Sequence, residues 1–151
     1  MKKFLFLLSA VSLCLSLAAC GGKTASPFDP EKDAKTLLET PGIFGETLTE
    51  IEQSTACALY GIDEDTVTAS AVYAALSSAE ELAIFTFSDE DAAQAAAVLL
   101  GYRVEDRRDE LENYLPGELP KLDKAVIEVR ENSALLVIAA DYGPVDTCLG
   151  D

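Results

Sequence analysis

Leu82-Ala83-Ile84-Phe85-Thr86-Phe87-Ser88-Asp89-Glu90-Asp91 decides how this chain folds. Its first six residues are short and apolar on both faces, so they read as a strand covered on two sides. Ser88 follows at once and precedes three carboxylates. Its side-chain oxygen can therefore cap a helix whose first turn carries the negative charge that a helix dipole favours. A covered strand that runs directly into a capped helix sets a sheet with a helix packed on it.

Downstream, Ala93, Ala97, Leu100 and Val104 recur at helical spacing, with Ala92, Ala96 and Leu99 beside them. This narrow alanine-rich face can approach a sheet closely. Gly101 costs the helix about 1 kcal/mol relative to alanine. The helix is expected to continue through Arg107-Arg108-Asp109-Glu110-Leu111 to Tyr114 and to stop before Pro116, because the residue before a proline is pushed out of helical conformation. Pro116-Gly117 and Pro120 mark a loop, with Tyr114 and Pro116 as a structural corner. Ala125, Ile127 and Val129 alternate with Glu128 and Arg130 as a strand with one wet face, and Glu131-Asn132-Ser133 makes a turn. Ala134 to Ala140 is continuously apolar, as a central strand should be. Asp141-Tyr142-Gly143-Pro144 terminates it.

Upstream, Val67, Ala69, Ala71 and Tyr73 alternate with Thr68 and Ser70 as a half-buried strand, joined through Ser77-Ser78-Ala79-Glu80 to the covered one as a hairpin. Asp29-Pro30-Glu31 starts a short helix, with Asp29 as N-cap and Pro30 at the first helical position, and Pro41-Gly42 ends it. Glu46 to Tyr60 carries Leu48, Ile51, Thr55, Ala58 and Leu59 at mixed three and four spacings, which suggests a second helix broken at Gly61. The expected class is α+β, an antiparallel four-stranded sheet in β-β-α-β-β order with one long helix packed on it and two short N-terminal helices.

The other informative stretch is Leu17-Ala18-Ala19-Cys20. Lys2 and Lys3 precede an apolar run from Phe4 to Leu17, too short to span a bilayer as a permanent helix and followed at once by small residues. This is the pattern of a lipoprotein signal peptide over residues 1–19, with Cys20 as the lipidated residue. Residues 20–28 read as a flexible tether and 29–151 as a single α+β domain. Two acyl chains on one cysteine hold a protein stably on a membrane, where a single chain does not. The expectation is a protein anchored at the extracytoplasmic face of the cell membrane.

Eleven basic residues stand against 27 acidic ones, a net charge of −16, and there is no histidine. All the acidic residues follow Cys20, while Lys2 and Lys3 leave with the signal. Such a charge repels nucleic acid and anionic lipid, so nucleic acid is not an expected partner. Recruitment of cations or of a basic partner is one use of the acidity; a solubilising surface is the plainer one. Of the four cysteines, Cys57 and Cys148 remain in the folded part. In an exported chain they could form a disulfide, with two free thiols as the alternative.

Lack of histidine removes the Ser-His-Asp and Cys-His arrangements and the usual zinc sites. Gly42 to Gly45 is neither a Walker A nor a dinucleotide turn. Asp63-Glu64-Asp65 and Asp89-Glu90-Asp91 resemble calcium loops in charge alone. Glu80-Glu81 could pair with a distant carboxylate for glycoside hydrolysis, but reads more simply as a solvated turn. Arg103, Arg107 and Arg108 form the basic cluster of an acidic protein, a candidate grip for an anion or for an acidic strip on a partner. Pairing within the helix to Glu105, Asp109, Glu110 and Glu112 is the simpler account. No catalytic residue, metal ligand or cofactor is indicated.

Through Leu59-Tyr60-Gly61-Ile62, Glu81-Leu82-Ala83-Ile84-Phe85, Tyr114-Leu115-Pro116 and the apolar last strand behind the lipobox, the chain resembles a lipoprotein family known as domain of unknown function family 4358. The resemblance covers nearly the whole chain after Cys20. It implies a fold and a location, and no catalytic residues. The expected function is a membrane-tethered, non-enzymatic binding or accessory domain at the cell envelope, with an envelope protein as partner. A carboxylate-dependent envelope hydrolase or transferase is the alternative, and a cation-buffering surface protein is a third.

Overall fold

The computed structural model describes residues 25–150; the expected signal peptide and the expected lipidation site Cys20 lie outside the described residues. Strand β3 (Glu81–Phe87) pairs with β2 (Val67–Ala74) on one side and β5 (Ser133–Ile138) on the other, Ala83 standing opposite Val72 and Leu136. Two further strands, β1 (Thr49–Ile51) and β4 (Val126–Arg130), complete an antiparallel sheet of order β1-β2-β3-β5-β4. Since β3 and β4 are each antiparallel to β5 between them, they run parallel to each other. Helix α3 (Glu90–Leu111) is the crossover that joins them.

The alternation of a strand divides the core in two. Ala83, Phe85 and Phe87 face α3 and α2 (Gln53–Tyr60), whereas Leu82 and Ile84 face α1 (Pro30–Glu39) and α5 (Gly143–Leu149). With helices on both faces, β3 is buried except at Thr86, and β5 is buried throughout. Phe85 packs edge-to-face on Tyr60 with ring centroids 5.5 Å apart. The expected alanine face of α3 is the one that meets the sheet, with Ala93, Ala96, Leu100 and Val104 buried.

The sheet has five strands, not four. Thr49–Ile51, expected as part of a helix, instead pairs along the edge of β2, Glu50 opposite Tyr73. The helical spacing begins only at Gln53 and ends at Gly61, whose φ of 67° suits glycine. One N-terminal helix therefore precedes a strand and a second helix. Strand β5 ends at Ile138, short of Ala140, and Gly143-Pro144, expected to terminate it, instead opens α5, which buries Val145. The cap of α3 is Asp89, whose Oδ1 accepts from the Ala92 N–H at 2.8 Å. Ser88 stands one residue ahead of the cap, with its N–H bonded to the Thr66 carbonyl at 2.9 Å and its Oγ 3.4 Å from Asp89 Oδ2.

Helix α3 ends at Leu111, short of Tyr114. The Pro116 loop is a 3₁₀ turn (Pro116–Glu118) followed by a short helix, α4 (Leu119–Leu122). Phe28, just ahead of α1, is buried: its N–H bonds Ser133 Oγ at 2.8 Å, and Arg130 stacks over its ring.

Candidate functional site

Glu80 and Glu81, read from sequence as a solvated turn, are 1% and 0% exposed. As neighbours at the head of β3 they point to opposite faces of the sheet. Glu81 enters the α3 side, where Arg103 holds both its oxygens, Nε to Oε1 at 2.9 Å and Nη2 to Oε2 at 2.8 Å. The Tyr60 hydroxyl donates to the same Oε1. Arg107 brings its Nε to 3.9 Å from Oε2 and donates through Nη2 to the Ser78 carbonyl at 2.9 Å.

Glu80 is held from other elements. Its Oε2 accepts from the N–H groups of Gly45 at 2.7 Å and Glu46 at 3.3 Å, and its Oε1 accepts from Lys121 Nζ at 2.8 Å. Lys121 also pairs with Glu118 at 2.8 Å, and Glu118 accepts from the Ala79 N–H at 3.0 Å. A Cβ at Gly45 would lie 3.2 Å from Glu80 Oε1, so a glycine allows this close approach.

Burial, reinforced by the charge of Glu81, pushes the Tyr60 hydroxyl well above the ordinary tyrosine range. Burial alone would lower Arg103, but its bonds to Glu81 outweigh this and hold it firmly charged. All four oxygens of the two glutamates are engaged, and neither residue lines the larger surface grooves. This cluster fastens the β2–β3 turn to α3, to α4 and to the segment before β1. It offers no carboxyl group to a substrate.

An open surface lies on the opposite face of the sheet, beside the N-terminal turn of α1. Ala69, Ala71 and Tyr73 of β2 and Thr86 of β3 floor a groove of about 650 Å³. Two small alanines leave the depth. Glu50 stands opposite Tyr73 in register, which puts both side chains on the same face. Glu31, in the first turn of α1, lines the groove as well. Burial raises the Tyr73 hydroxyl above its ordinary range, and the charges of Glu50 and Glu31 add to the shift, so both carboxylates bear on this ring. A second groove of about 300 Å³ shares Tyr73 and Glu31 with the first and continues along Leu38 and Glu39. The sequence marks Tyr73 as the inward end of an alternating strand, but carries no signal that Glu31 and Glu50 meet it.

The arginine cluster is divided by the fold. Arg103 and Arg107 converge on Glu81, so the carboxylate they grip is the chain's own. Arg108 turns away to Asp123 at 2.9 Å and Glu105 at 3.6 Å. The expected pairing within the helix is present for Arg107 with Glu110 and for Arg108 with Glu105. The disulfide is absent. Cys57 and Cys148 are free thiols, Cys57 in the core on the α3 face and Cys148 against the core on the α1 face, with the sheet between them. Burial pushes the Cys57 thiol up, with Glu64 and Asp63 adding to it. Asp63 and Asp89 use their side chains to cap turns, accepting from Asp65 and Ala92. Among the described residues no group of three or more acidic, cysteine or histidine side chains is arranged to hold a metal ion. No helix among them is long and apolar enough to cross a membrane.

No curated protein and no solved structure matches this chain. A family model described as "Domain of unknown function (DUF4358)" matches residues 44–139. The matched stretch takes in all five strands, α2, α3 and α4, both buried glutamates with the cations that hold them, and the Glu50–Tyr73 pair of the groove. With well over half of the chain and its whole sheet inside that match, the chain belongs to the DUF4358 family.

Proposed function

We propose that the protein is an extracytoplasmic binding module, held on the membrane by lipid at Cys20, which acts through contact and not through catalysis. One observation carries the reading: the buried carboxylates Glu80 and Glu81 are paired within the chain, while an open groove lies beside α1 on the face of the sheet away from Glu81. Hydrolysis by paired carboxylates needs two carboxyl groups flanking a bound substrate in a shared open site. Glu80 and Glu81 face opposite sides of the sheet with their oxygens occupied. A groove of about 650 Å³ falls within the size range of ligand sites. The net charge of −16 disfavours nucleic acid and anionic surfaces as partners. The lipobox supports the anchor, through the stability of a doubly acylated cysteine on a bilayer.

The test is a comparative pull-down from detergent-solubilised envelopes with the full-length lipidated protein as bait. A partner retained by the wild type and lost by Tyr73→Ala supports the module. Turnover of an envelope substrate, abolished by Glu81→Gln in a protein that still folds, would overturn it in favour of the hydrolase. Cys20→Ser belongs to the same experiment: the variant should leave the membrane fraction, and full retention there contradicts the anchor.

A further inference from the structure

The two grooves that meet at Tyr73 share a charge pattern. Asp29, Glu31 and Glu50 line the larger one, and Glu31 and Glu39 line the smaller. Lys35 also lines the smaller groove, where it pairs with Glu39 at 4.0 Å. Beneath these carboxylates the floor is made by Ala69, Ala71 and Tyr73, with the hydroxyl-bearing Thr86 beside them. Because both grooves include Tyr73 and Glu31, an occupant of the two together is elongated, crossing the sheet face beside α1.

We propose that this trough receives an extended basic segment of a partner protein, with one lysine or arginine side chain seated on Tyr73 between Glu31 and Glu50. This rests on the reading of the protein as a binding module and names the chemistry of its partner. The site matches what a long cationic side chain needs. Its methylene stem lies against the alanine floor while its charged head reaches the carboxylates. An aromatic face attracts a cation through its quadrupole, more strongly where water is partly excluded. Tyr73 is half-buried, Glu50 stands opposite it across the strand pair, and Glu31 lines both grooves with it, so the two carboxylates border the same ring. An acidic segment meets repulsion from Asp29, Glu31 and Glu50 in the larger groove.

Fluorescence anisotropy of a labelled, alternating lysine–alanine peptide on the full-length protein in detergent tests this. Glutamate–alanine and serine–alanine peptides serve as comparisons. The lysine peptide should bind, more weakly as salt is raised. Glu31→Gln combined with Glu50→Gln should weaken it by roughly tenfold or more, and Tyr73→Leu by about fivefold. Asp109→Asn with Glu112→Gln removes the same charge from the exposed end of α3 and should change little, which separates the trough from the general field of an acidic protein. Unchanged thermal midpoints would show that the groove variants are folded.

Lysine-peptide binding that survives loss of Glu31 and Glu50 overturns the inference, as does equal weakening by the α3 control. Equal binding of the serine peptide, lost in Tyr73→Leu, overturns the basic partner while leaving the binding module standing. Failure of all three peptides to bind also overturns it, and the envelope pull-down then judges the module separately.

Discussion

Glu81 stands at the head of an otherwise apolar strand, and its carboxylate is met inside the core by Arg103 and Tyr60. Removing one member of a buried pair leaves the other charge without compensation, which costs far more than the net worth of the pair. Glu81→Gln should therefore destabilise the fold by about 3–5 kcal/mol, lowering the thermal midpoint by about 10 °C or more. Combining it with Arg103→Met should cost less than the two single losses added together, as measured by denaturant unfolding. Glu118 acts on the other side of the turn. Burial would raise its carboxyl, but hydrogen bonds from Lys121 and from the Ala79 N–H outweigh burial and hold it below the ordinary range. A carboxyl lowered by folding stabilises above its unfolded value, and that contribution is lost as pH falls through the folded one. Unfolding measured against pH should show a smaller acid-side loss in Glu118→Gln than in the wild type.

Helix α3 is the element on which both the sheet and the glutamate cluster depend, and it carries an avoidable weakness. Nothing lies within 4 Å of a Cβ built at Gly101. Gly101→Ala should stabilise the protein by roughly 0.5–1 kcal/mol, seen as a raised denaturation midpoint at unchanged slope. The elements legible in the sequence are those with a sustained period: β2, β3, α3, β4 and β5 lie where alternation, apolar runs and helical spacing placed them. Besides the short α4 within the expected Pro116 loop, two elements escaped for physical reasons. Strand β1 has three residues, too few to alternate, and exists because β2 offers it an edge. Helix α5 begins with a Gly-Pro pair, which after an apolar run reads as a breaker and also suits a helix start. The glutamate cluster was illegible because its partners come from distant elements. Arg103 lies 22 positions from Glu81 and Lys121 lies 41 from Glu80, so an acidic pair in an acidic chain looks like surface. Tyr73 was visible as a strand residue, but its meeting with Glu31 is a product of the packing of α1.

For the molecule as a whole, the sheet is a partition: on one side are the sealed Glu81 pair, α2 and α3, on the other the open trough beside α1. The partition also separates the thiols. Under oxidising conditions Cys57 and Cys148 should stay unlinked within one folded chain, and alkylation after denaturation should label both. The same division assigns stability and binding to different residues. Thermal unfolding and lysine-peptide binding, measured together on Glu81→Gln and Glu50→Gln, test that assignment most directly. The account predicts that Glu81→Gln melts well below the wild type yet binds as the wild type does at temperatures where it is folded, whereas Glu50→Gln melts like the wild type and binds more weakly. Loss of binding in a Glu81→Gln protein of unchanged stability, with Glu50→Gln binding normally, would contradict it.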